Sequence, residues 1–204
     1  GNVLVKGKWK EGCREGEFLL FFPDGSYCSV NYEKDVKNGP CSFYDAQKTL
    51  VGSGKFEKDV FSGKGRFRFK DGSVYEGEVK EGEYDGEGVY TFPDSLVIKA
   101  VYTRNQKNGK VEITKGDSMH FEGTCKKNKV DGPGTERING EVVYKGNYTS
   151  GIPHGKGTIY FDNRMYYQGT VKKGVVSGLG TIYDTDGKEV HRGSFLQNKF
   201  VGSK

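Results

Sequence analysis

Two short segments resemble sites that bind phosphate or calcium. Residues 52–55, Gly-Ser-Gly-Lys, match the end of a phosphate-binding loop, but Thr49 stands where its first glycine belongs and Phe56 replaces the Ser or Thr that would hold Mg²⁺. Residues 81–86 match the start of a calcium loop, but Phe92 occupies the twelfth position, where a bidentate Glu belongs. We expect neither segment to bind its ion.

Histidine and cysteine also form no recognisable catalytic or metal-binding pattern. His120, His154 and His191 are far apart in the sequence, which favours solvent-facing positions over metal ligands or general bases. The four cysteines lack CxxC spacing, and no Ser or Cys lies in a nucleophile turn. We therefore expect a non-catalytic protein without a cofactor or a metal.

A glycine-based repeat of 23 or 24 residues explains both segments. Counted from an anchor position, the ninth following residue is always Gly, and the fifth is always Gly, Asp or Asn, the residues that tolerate a left-handed turn. The anchors are Gly7, Val30, Gly54, Gly77, Ala100, Gly123, Gly146, Gly169 and Gly193. We predict one domain, 1–204, with repeats at about 1–26, 27–49, 50–73, 74–95, 96–118, 119–141, 142–164, 165–188 and 189–204, the last partial.

Each repeat has the alternation of a β-hairpin. In the fourth repeat Tyr75, Gly77 and Val79 share one face, and Gly88 and Tyr90 alternate after the turn. If the strands pair across this turn, the anchor glycine lies opposite the residue thirteen positions later, whose ring would cover it. We predict an all-β fold, an elongated single sheet of about nine stacked antiparallel hairpins.

The segment YEGEVKEGEYDGEGVYTFPDS at 75–95 resembles the MORN repeat (membrane occupation and recognition nexus), and residues 54–72, 144–157 and 167–180 match it well. The resemblance implies an interaction module of the kind found in cytoskeletal and ciliary scaffolds and ahead of some enzyme domains. Some members of the family hold a partner peptide in an aromatic groove, and others have been proposed to bind acidic phospholipids.

Aromatic residues two positions before or after the anchor form a ladder along the repeats. The same period fits a structural core, but a single sheet covers one face only partly, and an exposed aromatic groove binds peptides. The best candidates for a partner groove are Tyr75, Tyr102, Phe121, Tyr144 and Tyr167.

Charge is distributed unevenly along the chain. Residues 1–95 carry 14 basic and 17 acidic side chains, net −3, whereas residues 96–204 carry 18 and 10, net +8. The balance over the whole chain argues against nucleic-acid binding. A lipid-phosphate site is the alternative use of the basic half. Its candidates lie in predicted turns: Lys126, Lys127, Lys129, Lys172 and Lys173.

These observations predict a protein-interaction scaffold whose aromatic groove holds a partner segment or a second copy. The alternatives are peripheral binding to acidic phospholipid membranes, and the accessory array of a longer enzyme such as a SET-domain lysine methyltransferase or a lipid kinase. The partial ninth repeat and the bare start suggest an excerpt of a longer chain. Without a signal peptide or an apolar span we expect a cytoplasmic protein associated with cytoskeleton or membrane.

Overall fold

The structure, a computed structural model, describes residues 4–202. Residues 1–3 and 203–204, which the sequence assigns to the first and ninth repeats, lie outside the described residues. The described residues form only β-strands and turns, which confirms the all-β prediction, and no helix that could cross a membrane is found among them. The strands are β1 (Leu4–Lys10), β2 (Cys13–Phe21), β3 (Tyr27–Glu33), β4 (Val36–Tyr44), β5 (Leu50–Glu57), β6 (Val60–Arg68), β7 (Val74–Lys80), β8 (Glu83–Thr91), β9 (Leu96–Thr103), β10 (Gln106–Lys115), β11 (Met119–Lys126), β12 (Lys129–Ile138), β13 (Glu141–Thr149), β14 (Ile152–Tyr160), β15 (Tyr166–Lys172), β16 (Val175–Tyr183), β17 (Glu189–Leu196) and β18 (Lys199–Gly202).

The strands belong to two compact units. Unit 1 comprises residues 1–94 and 101–105, and unit 2 comprises residues 95–100 and 106–204. From β1 to β8 in unit 1, and from β10 to β18 in unit 2, each strand pairs antiparallel with the next. The hairpin prediction is therefore confirmed within each unit. That all nine repeats form a single domain stays a prediction.

Left-handed turns lie where the sequence predicts them. The fifth residue after every anchor has a φ between 65° and 86°, and the residue before it, which is never glycine, has a φ between 47° and 53°. Two successive positive φ values define a type I′ turn, whose twist matches that of the strands it joins. The hairpin of β7 and β8 turns in this way at Glu81–Gly82.

A bulge around the ninth residue after the anchor sets the register of seven hairpins, from β1–β2 to β7–β8 in unit 1 and from β11–β12 to β15–β16 in unit 2. In β8 this residue is Gly86, with a φ of 108°, and the pairing shifts between Gly77↔Gly88 and Val79↔Tyr84. Three residues of β8 thus lie opposite one residue of β7. The predicted pairing of the anchor with the residue thirteen later is wrong, because the anchor pairs with the eleventh residue, Gly88, and Tyr75 pairs with Tyr90.

A ring does cover the anchor glycine, but it belongs to Tyr75, two residues before the anchor, and not to the predicted Tyr90. The Tyr75 ring lies over the pair Gly77 and Gly88, so closely that a Cβ on either glycine would stand 2.5 Å from the Tyr75 hydroxyl oxygen. The hydroxyl donates to the Glu78 carbonyl at 3.1 Å, and the side chain is fully buried. We call the side of each sheet that carries these rings the ring face. Burying one aromatic ring stabilises the fold by about 1.5–3 kcal/mol.

Successive repeats are also joined by a side-chain staple at the turn. The Asp35 carboxylate accepts from the Arg14 backbone N–H at 2.9 Å, and the Asp35 N–H donates to the Arg14 carbonyl at 3.1 Å. In unit 2, Asn128 makes the same two bonds with Lys107, at 2.7 and 3.0 Å. The preference for Asp or Asn at this position thus reflects a link between repeats as well as tolerance of a left-handed backbone.

Candidate functional site

The five rings predicted to line a groove all lie on the ring face of their unit, but their side chains are already covered. Their exposed fractions are Tyr75 0%, Tyr102 5%, Phe121 6%, Tyr144 5% and Tyr167 0%. These rings form the core of each unit, as the alternative interpretation of the ladder had it. Their contact with a partner stays a prediction.

Hydrogen bonds within the repeat hold the buried tyrosines. The Tyr144 hydroxyl donates to the Asn147 carbonyl at 2.9 Å, and the Tyr167 hydroxyl donates to the Thr170 carbonyl at 3.0 Å. Burial raises the pKa of Tyr75, Tyr144 and Tyr167 above the ordinary tyrosine value. These hydroxyls therefore stay protonated and keep donating to the backbone.

Accessible rings lie beside this core in unit 1. Phe61, Phe67, Tyr84 and Tyr90 are half-buried on the ring face of β6 and β8. The centroid of the Phe67 ring lies 5.4 Å from that of Phe61 and 6.3 Å from that of Tyr84, and the Tyr84 ring stacks on Tyr75 at 3.8 Å. The sequence ladder missed Phe61 and Tyr84, because the bulge brings the seventh residue after the anchor onto the ring face.

Unit 2 has different side chains at the same positions. At the seventh position after the anchor, unit 1 has Arg14, Lys37, Phe61 and Tyr84, and unit 2 has Lys107, Val130, Pro153, Val176 and Phe200. At the thirteenth position after the anchor, unit 1 has Leu20, Phe43, Phe67 and Tyr90, and unit 2 has Ile113, Glu136, Ile159 and Ile182. The half-buried part of the ring face of unit 2 is therefore mainly aliphatic, with one carboxylate and one lysine, and the exposed Phe200 ring packs on Phe195 in its last hairpin.

The five candidate lysines lie at two hairpin turns of unit 2, three at the turn between β11 and β12 and two at the turn between β15 and β16. All five side chains are exposed, and within residues 4–202 none of them forms an ion pair. Lys127 and Lys173 are the first residues of their type I′ turns, with φ values of 49° and 51°. The structure thus brings the five residues together in two groups and leaves their charges uncompensated.

Three basic side chains of unit 1 form ion pairs within the unit: Arg14, Lys55 and Arg66. The Arg14 Nε atom lies 2.9 Å from the Asp35 carboxylate, and the Lys34 backbone N–H donates to Glu15. On the face opposite the rings, Arg66 pairs with Glu76 at 2.5 Å, as expected for opposite charges on neighbouring strands. The other basic side chains of unit 1, Lys34 and Lys58 at the turns among them, form no ion pair within residues 4–202. The two units therefore differ at these turns in net charge rather than in ion pairing.

Other titratable groups form no second site in the part of the chain that the structure describes. No group of three His, Cys, Asp or Glu side chains there could hold a metal ion. Burial raises the pKa of the Cys41 thiol to about 11 and also raises that of Cys28. Because the thiolate is the reactive form, these two buried cysteines are poor nucleophiles.

A family model matches the segments of the chain that form these hairpins. The family model named MORN repeat matches residues 53–74, 75–97, 144–166 and 167–189. The chain is a MORN-repeat protein. Three of the matched segments begin with Tyr75, Tyr144 or Tyr167, the tyrosines whose rings cover a glycine pair. The MORN pattern of tyrosine and spaced glycines therefore encodes the ring–glycine contact.

Two solved structures resemble this MORN-repeat chain. A variant of the TCP10 domain of CPAP from Danio rerio is 15% identical, with a TM-score of 0.43, over 96% of this chain and 100% of that one. The TCP domain of SAS-4 (dCPAP) from Drosophila melanogaster, in complex with a proline-rich motif of Ana2 (dSTIL), is 11% identical. Its TM-score is 0.40, over 86% of this chain and 82% of that one. A search of curated proteins gives no match.

Proposed function

We propose that this MORN-repeat protein is a non-catalytic interaction scaffold that holds a protein segment, or a second copy of itself, on the ring face. The row of half-buried rings formed by Phe61, Phe67, Tyr84 and Tyr90 in unit 1 is the observation that carries the proposal. Aromatic side chains contribute more binding energy per residue than most others at protein interfaces.

Two features make this face suited to side-chain recognition. The strands inside each unit already pair on both sides, so a partner lying across them gains no backbone ladder and must be recognised by side chains. The rings are also held in place by the core, since Tyr84 stacks on the fully buried Tyr75 at 3.8 Å. A ring that is already ordered loses little side-chain entropy on binding.

A pair of matched variants tests the proposal. Tyr84→Ser removes a half-buried ring from the ring face, and Tyr27→Ser removes a half-buried ring that stacks on Tyr44 at 4.6 Å on the opposite face. Each variant and the unchanged protein are used as bait for affinity capture from a cell lysate, followed by measurement of the affinity for the purified partner. Thermal unfolding of both variants is the control for folding.

We expect Tyr84→Ser to weaken partner binding by roughly ten-fold or more, as the loss of an aromatic interface contact does, and Tyr27→Ser to leave it unchanged. Equal binding by both variants, each folded, would place the interaction elsewhere. Failure of the unchanged protein to bind any protein, or itself, at micromolar concentration would overturn the scaffold proposal.

Peripheral binding to acidic phospholipids is a second candidate, favoured by the uncompensated lysines of unit 2. Several unpaired basic side chains near a surface attract anionic headgroups by about 1 kcal/mol each. Lys127 and Lys173 have direct counterparts in unit 1, because Lys34 and Lys58 occupy the same turn position with φ values of 49° and 50°. The two pairs therefore serve as a variant and its control.

The test is co-sedimentation with vesicles of phosphatidylcholine, alone or mixed with phosphatidylserine. We expect binding only to the mixed vesicles, a decrease as salt is added, and a larger loss for Lys127→Ser/Lys173→Ser than for Lys34→Ser/Lys58→Ser. Equal binding to neutral vesicles, or equal losses for the two double variants, would contradict this candidate.

A further inference from the structure

Glu136 is a carboxylate in a row that is otherwise uncharged. The pairing of β10 to β14 places Ile113, Phe121, Glu136, Tyr144 and Ile159 side by side on the ring face of unit 2. At the position of Glu136, thirteen residues after the anchor, the other seven complete repeats have an aliphatic or aromatic residue: Leu20, Phe43, Phe67, Tyr90, Ile113, Ile159 and Ile182.

One hydrogen bond reaches the carboxylate from within the unit. The Tyr148 hydroxyl donates to a Glu136 carboxylate oxygen at 3.3 Å. Burial raises the pKa of Tyr148, and the neighbouring Glu136 charge raises it further, so the hydroxyl remains a donor. Among residues 4–202, no Lys, Arg or His forms an ion pair with Glu136.

The surroundings make this unpaired charge costly in the free protein. Phe121 and Tyr144 flank it, with 6% and 5% of their residue surface exposed, and Glu136 itself is half-buried. A carboxylate in partly desolvated surroundings gains more from a cationic partner than one on an open surface, because bonds between charged groups are stronger there. An isoleucine, as in the neighbouring repeats, would avoid the cost.

We infer that the ring face of unit 2 binds a segment that carries a lysine or arginine, whose charged group pairs with Glu136. This inference rests on the scaffold function proposed above and names the chemistry of the partner at one position. The stem of the basic side chain lies on Ile113 or Ile159, each two strands, or about 10 Å, from Glu136. Unit 1 has no such selectivity, because Phe67 and Tyr90 stand at the same position.

Selection from a library of random peptides tests this inference with a defined probe. The baits are the unchanged chain, Glu136→Gln, which keeps the shape but not the charge, and Glu136→Ile, which copies the residue of the flanking repeats and is therefore expected to fold. For the unchanged chain we expect lysine or arginine to be enriched at one position of the selected peptides. We expect Glu136→Gln to lose that enrichment and Glu136→Ile to favour an apolar residue there.

Synthetic peptides from the selection then give affinities. We expect a peptide with the basic residue to bind Glu136→Gln at least ten-fold more weakly than the unchanged chain, the size expected for one charge-assisted hydrogen bond. Selected peptides without a basic position, or a basic peptide that binds Glu136→Gln equally well, would overturn the inference and leave the scaffold function intact. If the unchanged chain selects no peptide, the scaffold function fails and this inference with it.

Discussion

The two units build the same hairpin but present different side chains around it. In unit 1 the covered tyrosine is bordered by rings such as Tyr84, whereas Val176 stands at that position in unit 2. At the turns, the charged Asp35 side chain binds Arg14 in unit 1, whereas the uncharged Asn128 side chain occupies the same position in unit 2 and binds the Lys107 backbone. The ring–glycine contact fixes the backbone of the hairpin in both units. The side chains that differ between the units lie at positions outside this contact.

Substitutions at the ring–glycine contact should have the greatest effect, and they test whether this contact is equally close-packed in both units. A Cβ on Gly88 or on Gly157 would stand 2.5 Å from the hydroxyl oxygen of Tyr75 or Tyr144. We expect Gly88→Ala and Gly157→Ala each to lower the free energy of unfolding by about 2–3 kcal/mol, since a close-packed ring has no room to move. Urea unfolding measures the loss, and hydrogen exchange assigns it to a unit.

Gly116→Asn is the control. The backbone at Gly116 has a φ of 52°, which asparagine tolerates, and no atom lies within 4 Å of the added Cβ. Either alanine variant unfolding like the unchanged chain would show that the ring does not fix the glycine pair.

A smaller effect is expected from adding the side-chain staple where unit 2 lacks it. Gly151 and Gly174 have φ values of 86° and 81°, and their N–H groups donate to the carbonyls of Val130 and Pro153. Gly151→Asn can accept from the Val130 N–H as Asn128 does from Lys107, but Gly174→Asn faces a proline, which has no N–H. We expect the free energy of unfolding in urea to be about 1 kcal/mol higher for Gly151→Asn than for Gly174→Asn. Equal free energies of unfolding for the two variants would show that this side-chain hydrogen bond does not stabilise the fold.

Low pH should weaken the side-chain staple formed by Asp35 in unit 1 but not the one formed by Asn128 in unit 2. The N–H and side chain of Arg14 lower the pKa of Asp35 below its ordinary 3.8. Its contribution to stability is present above that value and is lost as the pH falls through the folded-state pKa. Asn128 does not titrate. We expect acid to weaken hydrogen-exchange protection around Asp35, and Asp35→Asn to remove that dependence. A pH dependence unchanged in Asp35→Asn would contradict this.

The smallest effect concerns the two turn lysines of unit 2. Lys127 and Lys173 are exposed and form no ion pair among the described residues, so Lys127→Ser/Lys173→Ser should change the free energy of unfolding by less than about 0.5 kcal/mol. Calorimetry of the double variant measures this. A clear destabilisation would mean that these side chains serve the fold rather than a surface.

Residue types and spacing within one repeat predicted much of the fold, because most contacts of a hairpin join residues that are close in the sequence. The turn at Glu81–Gly82 followed from residue types that accept a left-handed backbone. The pairing of Gly77 with Gly88 did not, because a bulge changes the register without changing the alternation of side chains. The staple at Asp35 was also missed, since it joins residues about one repeat apart.

The candidate surfaces were predictable only in part. Exposure of the lysines followed from their place in turns. The burial of Tyr75 and the accessibility of Tyr84 depend on which strand residues the bulge brings to one face, and sequence spacing alone does not give this. Glu136 was visible in the sequence as a polar departure, but its flanking rings and its bond from Tyr148 needed the structure.

The most direct test of the central claim is site-specific photo-crosslinking in cells. A benzoylphenylalanine replaces Tyr84 on the ring face in one chain and Tyr27 on the opposite face in another, because both rings are half-buried and stacked on neighbouring rings. We expect a discrete crosslinked protein, or a crosslinked second copy, from position 84 and none from position 27. Crosslinks from position 27 alone would contradict the central claim.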